Sequence, residues 1–232
     1  MAARSEMAWL GSGDAGLSFI LAIQIGIIFI VAPLAATQST SAQLTEMLRL
    51  GLAATTIFIV ARNLAVRMAI AISYLATLLV SLHWQLGETA AAFALSKIIA
   101  TLVFDSIVAV VVAYAAFAPG KVTIHRILGA VIFYLYVALI FASLYRLMAV
   151  TVHPSFKGLR GGQRELFGEL LYFSLSALTT GASDIVAQHP FVRSLAGLES
   201  VIGQLYPATL LARLVTLHAT DSRAEIDSMT EE

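Results

Sequence analysis

Residues 165–184 read ELFGELLYFSLSALTTGASD. The first part, 165–178, is apolar with helical spacing, yet a bilayer core takes about 20 residues of helix. A segment of that length enters a membrane without crossing it. The small, polar residues 179–184 that follow point to non-helical backbone, which survives at membrane depth only where it lines a cavity or is buried in protein. Upstream lies a polar, glycine-bearing loop, residues 153–164 (HPSFKGLRGGQR), preceded by a long apolar stretch at 124–150. A second long apolar stretch follows at 191–218. Span, half-helix, polar loop, span is the arrangement of an ion pore.

The rest of the chain agrees with a membrane setting. Of 232 residues, 59% are apolar and 12% charged, against roughly 45–50% and about 25% in soluble domains. A compact soluble fold could not hide that much apolar surface. This excludes an ordinary cytosolic enzyme, a disordered chain and a nucleic-acid binder. Fourteen basic and fourteen acidic residues leave no net field for polyanions. The lack of cysteine excludes disulfides, zinc knuckles, iron–sulfur sites and thiol nucleophiles. Apolar segments at 17–36, 47–62, 68–86, 89–117, 124–150 and 191–218 predict an all-α integral membrane protein. Six transmembrane helices plus a re-entrant helix and loop at 165–184 are expected.

The stretches LLYFSLSALTTGASDI (170–185) and HPFVRSLAGLESVIGQLYPATLLARLV (189–215) carry a family resemblance. Together they resemble the pore module of bacterial potassium-channel-like proteins of the tetrameric cation channel superfamily. The pattern there is a pore helix ending in threonine, then TVGYGD, then an inner helix with a hinge glycine. The likeness covers roughly residues 124–218. It implies a four-helix N-terminal membrane domain at 1–120, a pore domain at 121–218 and a short acidic cytoplasmic tail at 219–232. It also implies a homotetramer, because one subunit supplies one pore helix and one filter loop. Its place would be the bacterial inner membrane, with both termini cytoplasmic.

The filter signature is altered. Anchored on Asp184, TVGYG falls on Thr179, Thr180, Gly181, Ala182 and Ser183, with one residue missing from the pore helix. Anchored on Thr179 and Thr180, the missing residue is the valine of the filter. Either way alanine replaces the aromatic and serine the last glycine. A potassium filter replaces the ion's water with rings of backbone carbonyls. Aiming them inward calls for glycines at positive φ, a conformation costing serine about 1–2 kcal/mol. The expectation is weak potassium selectivity, or a wider filter to which the hydroxyls of Thr179, Thr180 and Ser183 contribute oxygens.

Other residues take roles from the same resemblance. Asp184 would concentrate cations at the outer mouth, or pin the loop to the pore helix by a hydrogen bond, and the two are compatible. Gly203 matches the hinge glycine, and Pro207 removes a backbone hydrogen bond four residues on, so the pair would make a gating hinge. The alternative is that both residue types are simply common in membrane helices. Glu199 is an expensive carboxyl group inside the last helix. It is expected to support the filter as a buried acceptor for Ser174, Ser176 or the loop, in preference to binding an ion.

Lys97 and Asp105, eight residues and about 12 Å apart on one helix, would each meet a partner elsewhere or snorkel. A single lysine is no voltage-sensor series, which needs several arginines at every third position. The five scattered histidines and the GSGDAG run at 11–16, with no strand before it, suggest neither a metal site nor a nucleotide loop. Permeant monovalent cations are the only metals expected, with no cofactor, no catalytic residue and no nucleic-acid partner. Arg62, Arg67, Lys121 and Arg126 lie in loops that share the cytoplasmic side if the amino terminus does. Lys157, Arg160 and Arg164 fall on the outer side and dampen the field of Asp184. The competing expectation is a channel-fold protein that no longer conducts and serves a structural or regulatory role. A secondary transporter would show inverted repeats and broken helices in both halves.

Overall fold

The computed structural model describes residues 20–31, 48, 51–52, 63–85, 91–117, 124–160 and 166–230. The two ends of the predicted span at 17–36, nearly all of the one at 47–62, the 11–16 run, Lys121 and Arg164 lie outside them. The described chain is mostly helical and forms six helices, with one very short β pair. Helix α1 is Ile20–Ile30, with a π-helical end at Ile27–Val31. Next come α2 (Leu64–Gln85), α3 (Ala91–Ala116) and α4 (Ile124–Thr151). Strand β1 (Phe156–Lys157), α5 (Leu166–Thr179), β2 (Val186–Ala187) and α6 (Pro190–Thr230) complete the order.

The helix starts follow local chemistry. Asn63 caps α2, its Oδ1 accepting from Ala65 N at 3.0 Å. Helix α6 begins at Pro190, which has no N–H to leave unpaired, and His189 Nδ1 accepts from Phe191 N at 3.3 Å.

Among the described residues three helices are long and apolar enough to cross a bilayer, through Leu64–Ser81, Ala94–Ala116 and Ile127–Thr151. They give the chain the character of a membrane protein. The expected six spans are therefore met only in part. Helix α6 covers the sixth, and its described part is not among the three, with Arg193, Glu199, Gln204 and Pro207 diluting the apolar content there. It runs without a break through Pro207 and on through residues 219–230.

The protein-buried share of each spanning window rises from 22% in α2 to 39% in α3 and 61% in α4, so α4 is the central helix. On one side of it, Ile20, Ile28, Phe104, Val108, Ile132 and Tyr136 join α1, α3 and α4 in one core. On the other, Phe141, Tyr145, Leu170, Phe173, Leu178 and Val192 join α4, α5 and α6 in a second. Helix α5, only 14 residues long, is packed between α4 and α6.

The segment 153–160, expected as an irregular loop, differs from that reading. It carries β1, which pairs antiparallel with β2 in the register Phe156↔Ala187 and Lys157↔Val186. Gln188 N donates to Ser155 O at 2.9 Å beside it. This loop is thereby tied to the chain that leaves α5.

Candidate functional site

The site is the stretch from Thr179 to Asp184 with the residues that grip it. Thr179 is the last residue of α5, and its hydroxyl donates back to Leu175 O at 2.6 Å. Thr180 N and Gly181 N both donate to Ser176 O, at 3.0 and 2.6 Å, which closes the helix. Gly181 then takes φ +72°, a left-handed conformation that suits glycine. A Cβ there would meet nothing within 4 Å, so the glycine serves the turn and no close contact. Thr180 Oγ1 accepts from Ala182 N at 3.3 Å, and Ser183 Oγ accepts from Ile185 N at 3.1 Å. Short side chains bonding two residues ahead hold the loop locally.

Among the described residues no non-glycine has positive φ. The strain expected at Ser183 is therefore absent, because Gly181 and the two hydroxyl turns bend the chain instead. Thr179, Thr180, Gly181, Ala182 and Asp184 are exposed, and Ser183 is half-buried.

The base of the loop is gripped by α4 and α6. A helix leaves its last carbonyls without partners, and here three in a row take side-chain donors from other helices. Ser200 Oγ reaches Ala177 O at 2.9 Å, sharing its one proton with Ala196 O at 3.0 Å, Tyr134 Oη donates to Leu178 O at 3.2 Å and Gln204 Nε2 to Thr179 O at 3.0 Å. Gly203 stands in the same row. A Cβ on it would lie 1.9 Å from Leu178 O and 2.7 Å from Leu178 C, so the two backbones touch. The residue assigned to a hinge by resemblance thus sits at a tight contact between α6 and the end of α5. Pro207, exposed, comes four residues later inside the continuous helix.

Glu199 is fully buried one turn earlier. Its Oε2 accepts from Tyr145 Oη at 2.6 Å, and its Oε1 lies 2.5 Å from Ser174 Oγ. Ser174 is one of the two serines named from the sequence. Its hydroxyl also lies 2.9 Å from Ala138 O, and its single proton serves one of the two contacts at a time. One carboxyl group therefore joins α4, α5 and α6. Ser176 is buried but turns its backbone carbonyl to the loop.

The far end of the loop is held by the β pair. Gly158, at φ +96°, leaves no room for a side chain, since a Cβ would lie 2.5 Å from Asp184 O. Arg160 Nη2 is 3.4 Å from Asp184 Oδ2, with side chains 81% and 57% exposed. The Arg160 backbone N–H donates to Glu169 at 3.1 and 3.2 Å. Asp184 thus faces an arginine of the 153–160 segment, and no hydrogen bond from it to α5 is found among the described residues.

The sequence reading missed Tyr134, Tyr145, Ser200, Gln204 and Gly158. The signal for the tyrosines was available. A buried tyrosine hydroxyl needs a partner, and positions 134 and 145, eleven apart, share one face of an α-helix. Lys97 is half-buried and Asp105 buried, both on α3 and away from the loop. Among the described residues no three His, Asp or Glu side chains gather as metal ligands would. No protein family, curated protein or solved structure matches this chain.

Proposed function

We propose that the protein is a tetrameric, potassium-channel-like membrane pore for passive transport of monovalent cations, with K⁺ selectivity weakened by its altered filter. The observation that carries this reading is helix α5. It is 14 residues long, buried between α4 and α6, and ends in an exposed loop gripped at both ends. In a bilayer, an exposed loop of this kind needs a water-filled cavity or more protein around it. Four copies about an axis supply both.

Helix α6 supports the same reading. Away from its buried side it exposes Phe191, Leu198, Val201 and Leu205, apolar at near-heptad spacing, the spacing of helix–helix seams. Transport of this kind involves no chemistry, no cofactor and no nucleic acid. The bacterial inner membrane, with both termini cytoplasmic, is the setting that goes with it.

A second reading, a non-conducting channel-fold protein with a structural or regulatory role, is favoured by one observation. The last three carbonyls of α5 already take protein donors, which leaves them less free to face an ion. The purified protein in liposomes separates the two. Passive K⁺ and Na⁺ flux at a ratio near one, with a tetramer by native mass spectrometry, supports the pore. A tetramer with no flux of K⁺, Na⁺ or Cl⁻ favours the second reading, and stable monomers defeat the pore.

A further inference from the structure

We propose that Gln204 is a positioning residue for the 180–185 loop, the tie through which the part of α6 before Pro207 holds that loop in shape. Its consequence for transport rests on the pore reading, whereas the tie itself does not.

Ser200, Gly203 and Gln204 are spaced i, i+3 and i+4, so they lie on one face of α6. They meet Ala177, Leu178 and Thr179 in turn. Gln204 reaches the carbonyl whose peptide bond opens the loop. A carbonyl oxygen only accepts, so the amide nitrogen must face it, and turning the Thr179 peptide breaks the bond. The backbone contact at Gly203 removes the slack that an intervening side chain would give. Two residues on, Tyr206 anchors α6 to α4, its Oη donating to Ala130 O at 2.7 Å and its ring stacked 5.4 Å from Tyr134. The stretch of α6 from Glu199 to Tyr206 is thereby fixed on both sides of Gln204, and a displacement of it must turn the first peptide of the loop.

Two variants of the full chain in lipid nanodiscs test this. Gln204→Leu and Gln204→Glu both remove the amide donor at an exposed position, so neither opens a cavity. Backbone hydrogen exchange over residues 180–185 is expected to rise about fivefold in each, the equivalent of a net hydrogen bond near 1 kcal/mol. Exchange in α4 stays as it was and the unfolding free energy falls by no more than that one bond, about 1 kcal/mol, while the control Ile72→Ala, at an exposed position on α2, leaves exchange over 180–185 unaffected. In proteoliposomes of still-folded protein the Tl⁺ flux changes in both Gln204 variants and keeps the parent value in Ile72→Ala, which a merely structural role would not produce. Unaltered exchange over 180–185 in both variants overturns the proposal. If the parent protein passes no Tl⁺, K⁺ or Na⁺, the pore reading falls, and the exchange comparison still decides the tie.

Discussion

Helix α3 meets its neighbours through hydrocarbon, whereas α5 meets its neighbours through hydrogen-bonded backbone. On the first side, Phe104, Val108 and Val112 pack on Ile132 and Tyr136. Two hydrogen bonds between helices there are long. Thr77 Oγ1 donates to Ala100 O at 3.3 Å and Gln24 Nε2 to Ile132 O at 3.4 Å. On the second side, Ser200, Gln204, Tyr134, Tyr145 and Tyr206 reach across helices at 2.6–3.2 Å. Lipid tails are as apolar as leucine, so apolar packing gives membrane helices little drive to associate and little register. Polar ties fix register. A helix too short to span, like α5, needs its position set by such ties, while α2 and α3 can give more of their faces to lipid.

The contrast breaks most decisively at the two glycines where helices touch. Gly203→Ala would put Cβ 1.9 Å from a carbonyl oxygen and 2.9 Å from Leu178 Cα, so backbone must move. Overpacking of this kind costs about 3 kcal/mol or more. Gly129→Ala, on the α3–α4 side, meets Ala116 Cβ at 3.0 Å, for which about 1 kcal/mol is expected. Gly197→Ala meets nothing within 4 Å and should gain about 0.5–1 kcal/mol from helix propensity. Denaturant unfolding in detergent orders the three. If Gly203→Ala proves no worse than Gly129→Ala, the two sides are not packed differently.

The carboxyl at Glu199 comes next in size. Glu199→Leu leaves the Tyr145 hydroxyl without its carboxylate partner while Ser174 still has Ala138 O, and a buried group stripped of a partner costs about 1–3 kcal/mol. Glu199→Gln keeps an oxygen for Tyr145 and adds an amide for Ser174, so a loss below about 1 kcal/mol is expected. Equal losses in the two variants would mean that the volume of the residue matters and its hydrogen bonds do not.

How far the sequence carried these arguments depended on which force was at work. Apolar runs long enough to span put α2, α3 and α4 within a few residues of their observed ends, since burial in lipid is read residue by residue. The dead end at Thr179 was legible too, because 165–178 is short and followed by TTGASD. What could not be read was contact across the fold. Gly203 looks in sequence like a hinge or an ordinary membrane glycine, and only the nearness of Leu178 gives it a different reason. Ser200 and Gln204 look like polar dilution of a span until the carbonyls opposite them are known. The two-residue strand β1 carries no periodicity, being defined by its pairing partner 30 residues away.

A smaller effect is expected at Thr77 on the hydrocarbon side. Its hydroxyl also donates within α2, to Ser73 O at 2.8 Å, so the reach to Ala100 is a shared contact. Hydrogen bonds between membrane helices average about 0.6 kcal/mol. Thr77→Val should cost no more than that in the same unfolding assay. A loss as large as that of Glu199→Leu would show polar ties to matter equally on both sides of α4.

The smallest change in stability is expected at Arg160, where the grip on the loop is made in water. Its side chain is 81% exposed and that of Asp184 57%, and exposed pairs contribute about 0–1 kcal/mol. The Arg160 backbone N–H to Glu169 survives any side-chain change, as does the β pair. Arg160→Gln should therefore leave unfolding within about 0.5 kcal/mol of the parent. Its electrostatic effect is another matter, since it leaves Asp184 uncompensated beside the exposed loop. In a conducting pore, cation flux should rise at about 0.01 M salt, where charges act over roughly 30 Å, and the gain should vanish near 1 M, where they act over about 3 Å. A stability loss above about 1 kcal/mol would instead make this pair a structural tie like those at the base of the loop, and the two ends would then be held by the same means.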